Sequence, residues 1–504
     1  MGRKRRFSKL LLFAAMLSTI GAGVLGSVPL PVRAAEEKET YTVTFEAFEG
    51  TCETESVSVP KGESIILPDA SCEGHYLYGW VDVVEEEGIT VLYEIGVAGS
   101  EYTPEKDVCL QAHWKPNEGQ EPEQDITVTY EARIGDTGYE ELEEAFANAQ
   151  AGDTITVLKD CCVSRTLEAA ADNIILQSEN ADNPATISRE EEFTGKDFYR
   201  TDLDNVLLGV EGSLIMRDII LDGGAELDGD FNNTGQTWDS PLVYVAGVCT
   251  VEEGTVFQNN YNTDHNDDNL SFRTAGAIHV AWGGEFAMTG GLIQHCYTNG
   301  AGGGIQAAKT SCVTITSGAV RECYAAVGGA MDFFGLTSVS GMTISGNKAW
   351  AAIVAVRGET TLSGCLIENN EVTGDAGTVS ISEDSPVVME GCTITGNHNI
   401  YTSAISYSGK DRTEPLTIRD CTIWGNTADD LYSGVTIDYM TKADLILDGK
   451  IVMEENAVAG GKAWDIRFYY QDATPVTLGA DFESDSEFVM WGYDFAPGTL
   501  LVDA

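Results

Sequence analysis

Two short phrases of hydrophobic and polar residues alternate along the second half of the chain. The first phrase has an aliphatic residue between polar neighbours, at Ile293, Val320, Ile344, Ile367, Ile394 and Ile423. The second phrase places an aliphatic residue after small residues, at Ile278, Ile305, Met331, Ile353, Val379, Ile405 and Val435. Because both phrases recur with one common period, one pair of phrases corresponds to one turn of a repeat array.

The residues between the aliphatics indicate which kind of array this is. A leucine-rich repeat has a similar period, but its spaced leucines and helical second half are missing here. Short strands separated by glycines and asparagines predict a right-handed parallel β-helix, whose coils stack at about 4.8 Å. Asn347, Asn370, Asn397 and Asn426 are predicted to occupy its turns, where left-handed backbone and side-chain hydrogen bonds are needed.

The cysteines follow the same repeat in part. The chain has 12 cysteines, of which Cys365, Cys392 and Cys421 recur at the same place in successive phrases. This placement predicts a stack of buried free thiols. The absence of CxxC spacing argues against structural zinc. The sequence leaves the pairing of the remaining cysteines open.

An amphipathic helix is predicted where the repeat array begins. Thr137 and Glu140 have the spacing of a capping box, and Gly152 follows the predicted end. The apolar face of this helix consists of Tyr139, Leu142, Ala145, Phe146 and Ala149. Such a helix would cover the open edge of the first coil.

Before the array, residues 41–114 alternate short β-patterns with glycine and proline turns. This segment resembles the Listeria–Bacteroides repeat, also called the internalin B-repeat. The resemblance rests on Gly50, Gly74, Tyr76, Gly79, Trp80, Tyr102, Pro104 and Trp114. It implies a small β-grasp-like module that serves as a spacer or adhesion module. The segment Val83 to Gly99 departs from the family in being longer and more acidic.

The array also resembles the short paired repeats of chlamydial polymorphic membrane proteins. "FQNN", Phe257 to Asn260, is similar to their FxxN motif, and "GGAM", Gly328 to Met331, to their GGA motif. Those proteins are β-helical adhesins, so this resemblance implies adhesion. The parallel β-helix is also the fold of pectate lyases, which implies carbohydrate chemistry as the alternative.

The N-terminus has the pattern of a cleavable export signal. Basic residues precede an apolar run over residues 10–25, and small residues follow at Ala34 and Ala35. The expected organisation is a signal peptide over 1–35, the β-grasp-like module over 36–115, a linker over 116–125 and the β-helix over 126–504. No second apolar segment of membrane length follows the signal, so we expect a mature chain without a transmembrane segment, secreted or held at the cell surface. The strand-like end at Ala504 favours a natural chain that continues further.

Charge narrows the range of partners. The chain carries 80 acidic against 29 basic residues, a formal net charge of −51. Such a surface repels nucleic acid unless a cation bridges the two. The expected partner is an extracellular glycan or a surface macromolecule.

One acidic loop, "NTDHNDDN", contains the letters of two polygalacturonase motifs. Asp264 and Asp267 lie three residues apart in one loop, however, and the later motifs of those enzymes are missing, so no catalytic residue is assigned. Asp264, Asp267 and Asp268 could instead supply hard oxygen ligands to a calcium ion. A solvated insertion is the alternative.

A second candidate site follows from strand geometry. In each "GGAI"-type strand, the residue after the central aliphatic points outward. His279, Gln306, Asp332 and Val354 would therefore form one ladder, continued by Ser380, Ser406 and Thr436. Trp282, Lys309 and Arg357 lie further along the same strands and would share this face.

This face suits two functions. An aromatic ring beside polar groups suits a glycan-binding surface, and Lys or Arg beside Asp would suit a polysaccharide lyase or glycoside hydrolase. The signal peptide, the spacer-type module and the missing catalytic motifs favour an adhesin-like binding protein without catalysis.

The acidic loop generates a prediction about metal. If Asp264, Asp267 and Asp268 bind calcium, excess calcium raises the melting temperature relative to EDTA, because a ligand that binds only the folded state stabilises it. Melting curves in the two buffers measure this. Superimposable curves would remove the calcium site.

Overall fold

The structure is a computed structural model, which describes residues 39–48, 50–86, 89–116, 130–196, 205–263, 275–401, 404–409, 411–429, 437–459, 461–462, 464–468, 474–485, 487–492 and 500–503. The chain divides into two compact units, Met1–Thr127 and Val128–Ala504. The predicted signal peptide, linker residues 117–125 and Asp264, Asp267 and Asp268 lie outside the described residues.

The first unit is a small all-β module, as predicted. Its described strands are β1 (Thr40–Glu46), β2 (Thr51–Cys52), β3 (Ser56–Pro60), β4 (Ile65–Ile66), β5 (Ala70–Ser71), β6 (His75–Glu86), β7 (Ile89–Gly96), β8 (Glu101–Tyr102) and β9 (Val108–Pro116). Five of them form a mixed sheet in the order β3-β1-β9-β6-β7, in which β1 and β9 are parallel. The alternation in β1 buries Val43 and Phe45 against Trp80, whose indole N–H donates to the Pro68 carbonyl at 2.8 Å.

The second unit is a parallel β-helix built on four sheets. Its first hairpin pairs β10 (Ala132–Ile134) with β11 (Thr137–Tyr139), and β10 pairs in turn with the first parallel strand of sheet I. The described strands of sheet I that follow are Thr154–Val157, Ile174–Ser178, Ser213–Arg217, Val248–Val251, Glu285–Met288, Cys312–Ile315, Leu336–Ser340, Thr360–Ser363, Val387–Glu390, Leu416–Arg419, Leu445–Asp448, Val476–Leu478 and Val502–Asp503.

Sheets II, III and IV complete each coil. The described strands of sheet II are Cys161–Arg165, Thr186–Thr194, Ile220–Asp222, Val256–Gln258, Leu292–Gln294, Gly318–Arg321, Met342–Ser345, Leu366–Glu368, Thr393–Thr395, Thr422–Trp424 and Val452–Glu454. Those of sheet III are Leu167–Ala169, Leu208–Val210, Val243–Val245, Ile278–Val280, Ile305–Ala307, Met331–Phe333, Val354–Val356, Val379–Ile381, Ile405–Gly409, Ile437–Thr441, Ile466–Phe468 and Met490–Gly492. Those of sheet IV are Tyr261–Asn262, Tyr297–Thr298, Tyr324–Val327, Lys348–Ala351, Glu371–Val372, His398–Asn399, Thr427–Ala428, Ala457–Val458 and Gly461–Lys462.

The predicted register of the first phrase is confirmed in sheet II. Each of its central aliphatics pairs with its counterpart on the next coil, from Ile293 opposite Val320 to Ile394 opposite Ile423. These side chains are buried in the interior of the coil. They form part of one continuous apolar core that runs along the β-helix.

The predicted register of the second phrase, in sheet III, is correct at most positions and wrong at two. Met331 pairs with Val354 rather than with Ile353, and Ile405 pairs with Ile437 rather than with Val435. Ile353 is also buried, but it occupies the corner before the strand, where its carbonyl accepts from the Ala330 amide at 2.9 Å. Because Ile353 and Val354 are both buried aliphatics, the repeats of the chain can be aligned in two ways at this coil.

The repeated asparagines do not themselves adopt left-handed backbone. That conformation belongs to the residue before each of them: Gly346, Asn369, Gly396 and Gly425 have φ between 54° and 66°. The asparagines that follow are buried and form a ladder of hydrogen bonds between coils. The prediction placed the left-handed backbone one residue too late. The left-handed residue turns the chain so that the side chain of the asparagine after it points into the coil.

The asparagine ladder has the same geometry at each step. The Asn370 side-chain N–H donates to the Ile344 carbonyl of the preceding coil at 3.0 Å and to Asn397 Oδ1 of the following coil at 2.9 Å. Its Oδ1 accepts from the backbone and side-chain N–H groups of Asn347, at 2.8 and 3.0 Å. Each amide is therefore satisfied without water, although it is buried.

The capping helix is present but shorter than predicted. Helix α1 spans Leu142–Asn148 and buries Leu142, Ala145 and Phe146 against the first coils. The predicted capping box is wrong, because Thr137 pairs with Ile134 in the hairpin. The first free amide, that of Leu142, donates instead to Glu131 Oε2 at 3.1 Å.

All twelve cysteines are free in the structure. The predicted stack is confirmed, since Cys365, Cys392 and Cys421 are all buried. Each thiol donates to a carbonyl of a neighbouring coil, as Cys392 Sγ does to Leu362 at 3.4 Å. They fill the corner between sheets I and II as small hydrophobic groups.

Two adjacent asparagines test the ladder. Asn370→Ala removes its four side-chain hydrogen bonds and leaves the buried backbone N–H of Asn347 without its acceptor, so we expect a loss of about 3 kcal/mol in the free energy of unfolding. Asn369→Gly is the matched control, because φ is 54° at this exposed position and glycine adopts it without strain. Urea unfolding of both variants measures the difference. Equal stabilities would contradict the assigned role of the ladder.

Candidate functional site

The outer row of sheet III contains the polar residues predicted to share one face. Its strands place His279, Gln306 and Asp332 directly opposite one another on three consecutive coils. The row continues through Ala355, Ser380, Ser406 and Asp438. Val354 was predicted to belong to the row, but the register is shifted by one residue at that coil and Ala355 takes its place. Thr436 lies outside the described residues.

The side chains of His279, Gln306 and Asp332 are buried although they point away from the coil interior. The exposed fractions are 3% for His279, 1% for Gln306 and 0% for Asp332. The ring of Tyr244, on the preceding coil, stacks on that of His279 with centroids 5.5 Å apart and planes 7° apart. His279 Nδ1 lies 2.9 Å from Gln306 Oε1, a carbonyl oxygen, so the imidazole donates through Nδ1. His279 and Gln306 therefore satisfy part of each other's hydrogen-bonding capacity within the row.

Arg357 supplies the counter-charge of Asp332. Its Nε lies 3.0 Å from Asp332 Oδ1, although the N–H is not aligned as in a directed hydrogen bond. The contact is therefore a buried charge pair. The guanidinium carbon also lies 4.6 Å from the centroid of the Phe334 ring, and the side chain is 22% exposed. Arg357 consequently links the buried row to the surface.

Burial dominates the protonation of this row. It raises the pKa of Asp332 to about 7, and the opposing effects of Arg357 and Gln306 only partly offset the loss of hydration. Burial lowers the pKa of His279 to about 4, against a smaller rise from its hydrogen bond to Gln306. At neutral pH the imidazole is therefore neutral, and the Asp332 carboxyl is poised between its two protonation states.

Trp282 and Lys309 lie outside the buried row, in the turns that leave sheet III on two adjacent coils. Trp282 is 70% exposed, and Lys309 is also exposed. We call Trp282, Lys309 and Arg357 the sheet III rim. The structure therefore divides the six predicted residues into two sets: the buried row of His279, Gln306 and Asp332, and the rim, of which Arg357 is only 22% exposed and also contacts the row.

The sequence did not identify two aromatic residues of this site. Tyr244 precedes His279 in the row by one coil, and Phe334 lies under Arg357. In the sequence, the apolar strand Val243–Val245 indicated that Tyr244 belongs to the array. Tyr244 was not assigned to the row because 35 residues separate it from His279, more than any step between the repeats.

Across the described residues, no group of three or more His, Cys, Asp or Glu side chains is arranged to hold a metal ion. No helix in the described ranges is long and apolar enough to span a membrane.

Comparison with known proteins supports the fold. Residues 330–463 match the family described as the right handed beta helix region. No curated protein matches the chain. Among solved structures, the catalytic domain of a GH87 α-1,3-glucanase in complex with nigerose is similar at 12% identity and a TM-score of 0.32, covering 90% of this chain and 88% of that one. A likeness this weak carries no inference about activity.

The protonation of Asp332 gives a prediction about stability and pH. A carboxyl whose pKa is raised from 3.8 to about 7 on folding stays protonated in the folded state while the unfolded state releases its proton. Its contribution to the free energy of unfolding is therefore complete below pH 4 and is lost as pH rises towards about 7. Asp332→Asn removes this titration. We expect the melting temperature of the wild type, relative to the variant, to fall by several degrees between pH 4 and 7.5.

His279 has the opposite effect on how stability depends on pH, and it is present in both the wild type and the Asp332→Asn variant. Its lowered pKa costs stability as pH falls below about 6.5, and this contribution cancels in the difference between the two melting curves. Parallel curves for wild type and Asp332→Asn would contradict a raised pKa.

Proposed function

We propose that this protein is an exported, adhesin-like binding protein that recognises a glycan or another extracellular macromolecule at the sheet III rim. The N-terminal segment 1–35 directs export, and the mature chain is secreted or held at the cell surface. The β-helix presents the recognition surface.

One observation carries this proposal. In the outer row of sheet III, each ionisable group is held by a neighbour: His279 by the neutral Gln306, and Asp332 by Arg357. The groups that reach solvent beside the row are an indole, an ammonium and the end of a guanidinium. His279 and Asp332 are almost inaccessible to solvent. Trp282 and Lys309 are exposed and can contact a ligand. An aromatic face flanked by a few polar donors is the usual composition of a binding site.

Catalysis by a polysaccharide lyase or glycoside hydrolase is the second candidate. It is favoured by the pKa of Asp332, which at about 7 suits a general acid or base. A catalytic carboxyl must reach within hydrogen-bond distance of the proton that it transfers. Asp332 has no exposed surface, and its pair with Arg357 would have to open before a substrate could reach it. Binding therefore requires less change of the observed arrangement than catalysis does.

The N-terminal module fits the role of a spacer of the Listeria–Bacteroides type. Two of the residues that carry that resemblance have structural roles that demand glycine. Gly74 has a φ of 75°, and a side chain on Gly50 would approach the Trp114 ring to 2.3 Å. The Trp114 indole N–H donates to the Ala47 carbonyl at 3.0 Å, which fixes that ring over Gly50. These contacts support a rigid module whose signature residues maintain the fold rather than bind a ligand.

The proposal is tested with the mature chain, Glu36 onward, on a broad glycan array. Trp282→Ala should weaken binding at least about tenfold, because it removes the largest exposed contact of the rim. Trp350→Ala is the matched control, since Trp350 is 55% exposed but belongs to sheet IV. Its affinity should equal that of the wild type.

Each glycan that binds should also be incubated with the protein and assayed for new reducing ends and for unsaturated products. Binding without turnover supports the proposal. Turnover that is lost in Asp332→Asn would replace it with the enzymatic function. Equal losses of affinity in Trp282→Ala and Trp350→Ala would remove the rim as the recognition surface.

A further inference from the structure

The asparagine ladder is interrupted at two neighbouring coils, and both positions hold a cysteine. On eight successive coils, the third residue after the central apolar residue of the sheet II strand is Asn260, Cys296, Cys323, Asn347, Asn370, Asn397, Asn426 and Asn456. Cys296 and Cys323 are fully buried, and the residue before each, His295 or Glu322, has left-handed backbone as in the asparagine coils. The two thiols therefore occupy ladder positions in all respects except their chemistry.

The two cysteines lie directly opposite each other. Ile293 pairs with Val320 before them, and Tyr297 pairs with Tyr324 after them. The Tyr324 amide donates to the Cys296 carbonyl at 2.9 Å, which fixes the neighbouring backbones. Cys296 Sγ lies 3.3 Å from the Gln294 carbonyl and Cys323 Sγ 3.4 Å from the Arg321 carbonyl, so both side chains have the same orientation. The sulfurs consequently stack one above the other.

This arrangement satisfies most of the geometry of a disulfide. Strands paired in this way are about 4.8 Å apart, which lies within the range of Cα separations that a disulfide spans, about 4.4 to 6.8 Å. The Cβ atoms must approach by about 1 Å to reach their usual separation of about 3.8 Å. The turn at His295 and Glu322 connects sheets II and IV and can absorb such a shift more easily than a strand interior.

The chemistry of the ladder gives a reason for a covalent bond here. An asparagine joins its coil to both neighbours through its amide, as Asn370 does. Each thiol instead donates to a carbonyl of its own turn, two residues earlier in the chain. At these two coils the side chains supply no amide bridge of that kind. A bond between the sulfurs would restore the connection between coils.

We propose that Cys296 and Cys323 form a disulfide that joins two adjacent coils when the protein folds in an oxidising compartment. One thiolate attacks the disulfide of an oxidant, forms a mixed disulfide and releases one thiol of that oxidant. The second thiolate then attacks the mixed disulfide, which releases the second thiol and forms the Cys296–Cys323 bond. Two protons leave the cysteines, and the oxidant disulfide is reduced to two thiols.

Burial raises the pKa of Cys296 well above its ordinary value, so attack occurs before the coil closes or during local opening. The oxidant must therefore be present during folding. Oxidant added to the folded protein reaches these sulfurs slowly.

The test uses the full chain, exported to a bacterial periplasm and purified without reductant after alkylation of free thiols under denaturing conditions. Trypsin separates the two cysteines, because 274–309 contains Cys296 alone and 322–348 contains Cys323 alone. The expected result is a linked pair of these peptides in mass spectrometry that separates on reduction. The peptide 310–321, which contains Cys312, should be alkylated in the same sample.

A stability measurement distinguishes a bond that stabilises the fold from an incidental one. Reductant should lower the melting temperature of the wild type and leave that of the Cys296→Ser, Cys323→Ser double variant unchanged. The double variant Cys392→Ser, Cys421→Ser is the control and should retain the sensitivity of the wild type to reductant. Alkylation of both Cys296 and Cys323 in the exported protein, or a link from either to another cysteine, would overturn the proposal.

Discussion

The buried asparagine ladder is the constraint on which the β-helix depends. From Asn370 to Asn426, each coil contributes one side-chain amide that makes four hydrogen bonds with the coils before and after it. A buried amide without them costs roughly as much as a large core substitution. The ladder therefore permits one register only. Because strand side chains alternate between faces, a slip of one residue would turn the aliphatic stack outward.

Because the coils stack in register, equivalent residues lie directly above one another. This limits which polar residues can occupy the same row. Along sheet IV, Tyr261, Tyr297 and Tyr324 stack with centroids 4.1 and 4.8 Å apart. Like charges at that spacing would repel, so a row that contains ionisable groups needs a neutral neighbour or a counter-charge. Gln306 separates His279 from Asp332 in this way, and Arg357 compensates Asp332 from the adjacent turn. The polar row of sheet III is thus explained in large part by the packing of the scaffold.

The same physics explains which parts of the structure could be predicted from the sequence. Sheet II was predictable because its aliphatic and its ladder residue recur at a fixed separation. Sheet III was predictable until two aliphatics, Ile353 and Val354, competed for one position, a choice that depends on the neighbouring coil. The start of α1 was wrong because Thr137 pairs with Ile134, a contact that local capping patterns do not reveal.

The candidate site was predictable in its members but not in its accessibility. The spacing placed His279, Gln306 and Asp332 on one row, but the ring that covers His279 belongs to Tyr244, from a coil of irregular length. The regular spacing of the repeats does not predict where a residue of that longer coil lies. Strand geometry therefore predicted that these three side chains point out of the coil, but it could not predict whether they are exposed.

Trp282 and Lys309 of the sheet III rim lie in turns, where the structure constrains the side chain less than in a strand. A strand residue of the β-helix is constrained by the equivalent residues above and below it, and so are the ladder asparagines in the turn between sheets II and IV. The turn that leaves sheet III instead holds unlike, exposed side chains on adjacent coils. Trp282 illustrates this freedom, since the equivalent position on the next coil holds Lys309 and both face solvent. Side chains can change there without breaking the ladder or the aliphatic stack. The sheet III rim, proposed above as the binding surface, can therefore vary in sequence while the buried row of His279, Gln306 and Asp332 keeps its contacts.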